Sequence, residues 1–141
     1  MRISMKFTMA SERVQHDEVF DLLVASGIFA DVTVELTPSV VGRAFDGSNL
    51  VTVARDDHGK MIGVCRALTD FSRNCFIATL AVHPLAKGQG VGKALLNFTH
   101  AEAGDPRKIV IFLHSGPEAV GFYERIGMER ETTMFSLNNV N

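Results

Sequence analysis

The sequence has no Trp, a single Tyr (Tyr123), two Cys and four Pro among its 141 residues. Two cysteines, Cys65 and Cys75, are too few for a disulfide scaffold, and both fall in apolar runs, where a small buried thiol is the ordinary reading. The five His show no zinc-type spacing such as HExxH, so no metal is expected. Acidic residues number 16 and basic residues 14, a formal net charge of -2. No basic excess marks a nucleic-acid surface, and no basic run beside an apolar helix marks a membrane-docking one. The start, MRISMKFTMASER, lacks the apolar core of a signal peptide, and no run reaches bilayer-spanning length, so the expected location is cytoplasmic.

What is present fits a globular domain. Hydrophobic residues make up 46% and charged residues 21%, which excludes a disordered chain. The length suits one domain over residues 1–141. No repeat, low-complexity tract or linker breaks it.

Periodicity gives the order of elements. Ile3 to Met9 reads as a first strand. Ser11 reads as the N-cap of a helix that runs to about Ser26 and stops at Gly27. Residues 28–36 are ambiguous, since DVTVEL alternates like a strand without support from its surroundings. Thr37-Pro38 reads as a cap and first-turn proline for a short helix over Ser39 to Phe45. LVTVAR and MIGVCRAL, separated by Asp56 to Lys60, form a hairpin. A polar break from Thr69 to Asn74 precedes a third antiparallel strand, CFIATLAV.

The C-terminal half alternates helix and strand. Val91, Ala94, Leu95 and Phe98 lie on one helical face. Gly104-Asp105-Pro106 ends that helix, and KIVIFL follows as a continuous apolar strand of the kind buried on both faces. Pro117 opens another helix, with Ala119, Phe122, Tyr123 and Ile126 on one face and Gly127 as its stop. Thr132 to Leu137 reads as a last strand. The chain is therefore α/β with a mixed sheet, in which CFIATLAV and KIVIFL run parallel through a crossover helix.

Three glycines, Gly88, Gly90 and Gly92, sit between CFIATLAV and the next helix. A helix start offers unpaired N–H groups and the positive end of the dipole, and glycine lets a ligand approach the backbone. Such a junction suits a phosphate or pyrophosphate, though a tight turn alone also needs glycine. A P-loop is excluded, because Gly92-Lys93 is followed by Ala94 and Lys87 stands where the first glycine belongs. The dinucleotide pattern GxGxxG lacks its third glycine whether it starts at Gly88 or Gly90.

The stretch LAVHPLAKGQGVGKALL, residues 80–96, resembles the acetyl-CoA motif of the GCN5-related N-acetyltransferases. Lys87, Gly90 and Gly92 fall on that motif's fixed positions, with Lys where the family has Arg or Gln. A second stretch, AVGFYERIGM, residues 119–128, is similar to the family's later A-x-x-F-Y-x-x-x-G-F motif, with Met128 for Phe. The resemblance implies a mostly antiparallel central sheet with one parallel, splayed strand pair and flanking helices. It implies an N-acetyltransferase that moves an acetyl group from acetyl-CoA to an amine by direct attack through a tetrahedral intermediate. A non-catalytic acyl-CoA-binding or regulatory module with the same fold is the alternative.

Residue by residue, the resemblance implies that backbone groups of Leu80, Ala81 and Val82 pair with the pantetheine arm. Backbone amides over Gly88, Gln89, Gly90, Val91, Gly92 and Lys93, beside Lys87, hold the pyrophosphate. An amide near Leu80 serves as an oxyanion donor. Phe122 and Tyr123 approach the thiol end, and Tyr123 stands where the family keeps a general-acid tyrosine; the alternative is that Tyr123 only packs on the apolar face with Phe122 and Ile126. A phenol is protonated at neutral pH and can donate to a leaving thiolate. Several relatives carry a carboxylate on the strand before the loop, but CFIATLAV has none. His114, at the end of KIVIFL, is the first candidate base and His83 the second; a water chain to Asp70, or an amine that arrives already free, needs neither. Gly116 stands where the family often has Asn. Nothing local would activate Cys65 or Cys75 as a nucleophile. Homodimers are common in the family; the acceptor is an amine of unread identity.

Overall fold

A computed structural model describes residues 4–30, 32 and 34–138 of the chain. Five strands form one sheet in sequence order: β1 (Phe7–Ser11), β2 (Leu50–Asp56), β3 (Met61–Thr69), β4 (Asn74–Val82) and β5 (Val110–Leu113). The first four are antiparallel neighbours, and β4 and β5 run parallel. Helices α1 (His16–Ser26) and α2 (Pro38–Asp46) cover one face, and α3 (Val91–Ala103) covers the other. A short helix, α4 (Val120–Arg125), follows β5. Among the described residues no helix is long and apolar enough to cross a membrane.

Alternation along the strands sorts side chains into two cores. Leu50, Ala54, Cys65, Ala67, Cys75 and Ile77 meet Val91, Leu95 and Leu96 of α3. Val51, Val53, Val64 and Ala81 meet Val19, Leu22 and Leu23 of α1 and Val41 and Phe45 of α2. Gly63 lets α3 lie close to β3: a Cβ there would come within 2.7 Å of Leu95 Cδ1 and 2.9 Å of Val91 Cγ1. Across the α3 core, Thr99 donates its one hydroxyl proton to the Leu95 carbonyl (2.7 Å). Thr52 must then be the donor in the 2.7 Å bond that joins the two hydroxyls.

The helix ends follow the sequence signals closely. Gly27 closes α1 at φ 82, and Thr37 caps α2 by accepting from the Val40 amide, with Pro38 in the first turn. Arg55 of β2 fastens α1 to the sheet through paired bonds to Glu12 and Glu18, all at 2.8–2.9 Å.

Several expectations are corrected. Ser11 does not cap α1; it ends β1 opposite Thr52, and the Glu12 amide still bonds the Val51 carbonyl, so the sheet holds this backbone and the helix waits until His16. The first strand accordingly lies later than Ile3 to Met9, and Ile3 is outside the described residues. KIVIFL gives four strand residues at the edge of the sheet and is buried on one face only: Ile111 and Leu113 pack on the α3 core, while Val110, 62% exposed, and Phe112, 42% exposed, point to the opposite face. Thr132 to Leu137 pairs with nothing in the sheet and is irregular and exposed. The Pro117 helix starts as a 3-10 turn (Pro117–Ala119) before α4. Residues 28–30 form turns; positions 31 and 33 are outside the described residues.

Candidate active site

The pairing of β4 with β5 begins at Asn74 and Val110 and ends at Ile77 and Leu113. Strand β4 continues five residues further, paired among the described residues with β3 alone. The parting coincides with a bulge. Ala67 stands opposite Ile77 and Arg66 opposite Thr79, so Ala78 is the extra residue that bends β4 away.

Hydrogen-bond direction alternates along an antiparallel strand. The His83 amide bonds the Ile62 carbonyl at 2.8 Å, so odd-numbered Ala81 and Thr79 turn their backbone groups to β3. Leu80 and Val82 therefore direct their N–H and C=O groups into the gap left by β5. Ala81 lies between them with its polar backbone turned away from it.

The gap leads to the glycine turn. A 3-10 turn, Pro84–Ala86, carries the chain out of β4, with Ala86 buried beneath it. Gly88 (φ 78) and Gly90 (φ 81) take left-handed backbone, a conformation that strains other residues. No side chain caps α3, and its first internal bond comes from the Ala94 amide to the Gly90 carbonyl, so Val91, Gly92 and Lys93 present their amides outward. The Lys87 amide turns back to Pro84 and the Gln89 amide to Ala86, each at 3.3 Å. The Gln89 side chain accepts from the Met5 amide, tying the turn to the N-terminal segment. Lys87 and Lys93 are exposed on either side.

Helix α4 closes this end. A Cβ on Gly92 would lie 3.1 Å from Phe122 Cζ and 3.6 Å from Val82 Cγ2, so Gly92 is the point where α3, α4 and β4 converge. Phe122 and Tyr123 meet edge to face, with ring centroids 5.1 Å apart. Ile126 and Met128 pack on the α3 core. Burial raises the Tyr123 phenol above its ordinary value, with a smaller upward push from Cys65.

The other nominated groups separate. His114 is exposed directly after β5, at the mouth of the gap. The His83 ring accepts from the Leu85 amide at 3.2 Å and so shapes the turn. Asp70 lies at the opposite end of β4, where its carboxylate accepts from the amides of Ser72, Arg73 and Asn74; these bonds hold its pKa well below the usual range. Burial pushes the Cys65 thiol up to about 12 and raises Cys75 as well, the reverse of nucleophile activation. Among the described residues no three His, Cys, Asp or Glu side chains gather as a metal site would require.

One residue of this region escaped the sequence reading. Arg66 donates from Nε to Thr79 Oγ1 at 3.2 Å, on the face of β4 opposite Leu80. Its signal was legible: it is the lone charge in the apolar strand MIGVCRAL.

A splayed parallel pair, a glycine turn and an uncapped helix start follow one another at one end of the sheet, and a family model agrees. The acetyltransferase (GNAT) domain matches residues 47–130. The chain belongs to the GNAT acetyltransferase family. The uncharacterized N-acetyltransferase ycf52 of Pyropia yezoensis is 27% identical over 77 residues, 55% of this chain and 44% of that protein. The ycf52 protein of Gracilaria tenuistipitata var. liui is 34% identical over 67 residues, 48% of this chain and 37% of that protein. The matched stretch thus spans less than half the length of these curated relatives. A solved GNAT-family acetyltransferase of Streptococcus pneumoniae TIGR4 shares the fold, with a TM-score of 0.69, 22% identity, and coverage of 96% of this chain and 100% of that one.

Proposed function

We propose that this GNAT domain transfers an acetyl group from acetyl-CoA to an amine by direct attack. The observation that carries the proposal is the stretch of β4 beyond Ile77, whose outward backbone groups lead to the uncapped start of α3, where Phe122, stacked edge to face with Tyr123, packs close to Gly92. The cradle suits the donor: Leu80 and Val82 offer an amide and carbonyl pattern for the pantetheine arm, and the Val91, Gly92 and Lys93 amides suit its pyrophosphate. Lys87 and Lys93 add positive charge at the rim.

The chain's own groups then divide three tasks. The Leu80 amide, directed into the gap, stabilises negative charge on the thioester oxygen as the amine adds. His114 takes the proton that the amine gives up. Tyr123 gives its phenolic proton to the departing thiolate as the C–S bond breaks; His114 then releases the amine's proton to solvent, and the phenolate takes one up from solvent. Burial keeps the phenol neutral at physiological pH, so it holds the proton it gives.

Titration calorimetry with acetyl-CoA tests this reading. Binding of one equivalent is expected; no heat at high micromolar concentration overturns it. The absence of Asp and Glu from β4 favours a second reading, an acyl-CoA-binding module without catalysis. Amine-dependent release of CoA thiol separates the two.

A further inference from the structure

Arg66 sits near the middle of β3, facing α1 and α2 rather than α3. Its guanidinium donates to Thr79 Oγ1 and, from Nη1, to Ser48 Oγ, each at 3.2 Å, and its Cζ lies 5.6 Å from the centre of the Phe45 ring. Both hydrogen-bond partners are neutral hydroxyls. Among the described residues no carboxylate stands within 4 Å of it. The contrast with Arg55 is direct, since that guanidinium is held by two glutamates.

A guanidinium carries five N–H donors in a planar fork, and two hydroxyls use two of them. A half-buried cation without a counter-charge is costly, and an oxyanion across the fork relieves that cost with charge-assisted bonds. The desolvation is real: burial pulls the Arg66 pKa below its ordinary value.

The position is informative. Arg66 pairs with Thr79, the first residue beyond the bulge at which β4 parts from β5. The bulge also puts Phe76 on this face, where its ring lies 5.4 Å from that of Phe112 on the exposed edge strand. An acceptor entering from the α1–α2 side would thus meet two aromatic rings and a fork of unused donors, next to the open stretch of β4.

We propose that Arg66 anchors an oxyanion, a carboxylate or a phosphate, carried by the amine acceptor, and so sets the enzyme's substrate class. The inference rests on the acetyl-transfer reading above.

The test uses two matched probe pairs, leucine with leucinamide and glucosamine 6-phosphate with glucosamine, on the full chain saturated with CoA. The Arg66 Nε–H resonance, assigned by its loss in Arg66→Lys, is followed during each titration. The anionic member of one pair should shift it and the neutral member should not; which pair responds tells carboxylate from phosphate. In acetylation assays the wild type should favour that anionic member by about tenfold in KM. Arg66→Met should abolish the preference, and Arg66→Lys should keep part of it. An unmoved resonance with every anionic probe at millimolar concentration, or a preference that survives in Arg66→Met, overturns the proposal. If no amine releases thiol, the acetyl-transfer reading fails, while the resonance still scores the oxyanion site.

Discussion

Ile77 and Leu113 are the last residues that β4 and β5 pair, and the bulged Ala78 follows at once. Everything proposed for donor binding lies on the β4 side of that parting.

Tyr123→Phe should lower kcat by about a hundredfold and leave acetyl-CoA affinity near the wild-type value, because the ring is kept and only a proton donor is lost. Calorimetry and steady-state kinetics on the same preparation check this. Unchanged turnover returns Tyr123 to packing against Phe122.

With no Trp and one Tyr, near-ultraviolet absorbance follows that phenol alone. Its midpoint in the folded protein should lie above the ordinary value of 10.0. The sign for stability follows. A folded-state pKa above the unfolded one gives stability that is full below pH 10 and declines as pH rises towards the folded value. Denaturant midpoints measured across alkaline pH should fall accordingly.

His114→Ala should remove or shift the acidic limb of the pH–rate profile, since an imidazole must be neutral to accept the amine's proton. An acidic limb unmoved by the substitution excludes His114.

Gly92→Val should weaken acetyl-CoA binding by about tenfold or more, because even a Cβ meets the tip of Phe122 at 3.1 Å and a branched side chain must push α3 and α4 apart. Calorimetry on the variant measures this. A matching loss of thermal stability of about 1 kcal/mol would accompany the displaced packing.

Arg55 lowers the Glu18 pKa chiefly by hydrogen bonding. A depressed carboxylate pKa gives stability that is present above the unfolded value and lost as pH falls through the folded one. Arg55→Met should therefore flatten the acid side of the stability profile, read from melting temperatures below the ordinary carboxylate range.

Much of this was legible before any coordinates. Gly27, Thr37-Pro38 and the glycine triplet mark backbone conformations and caps that few other residues satisfy, so local chemistry alone located them. The hairpin and the parallel pair followed from alternation and order. The failures share one cause: contact with a distant partner decided them. Ser11 has the chemistry of a cap, but its backbone is claimed by Thr52, 41 positions away. KIVIFL is apolar on both faces, yet only Ile111 and Leu113 meet the core and Val110 and Phe112 stay exposed. The bulge at Ala78 has no local signature, because it is a mismatch in register between two strands. Arg66 was visible as a charge in an apolar strand, but its meaning depends on its having no carboxylate within 4 Å among the described residues.

Release of CoA thiol in the presence and absence of amines tests the central claim most directly. The protein's own thiols should stay silent in this assay, since both are buried with raised pKa values. An amine-dependent rise in free thiol, lost in Tyr123→Phe, is the expected result. Acetyl-CoA binding with no amine-dependent release across neutral, cationic and anionic acceptors would contradict catalysis and leave an acyl-CoA-binding module.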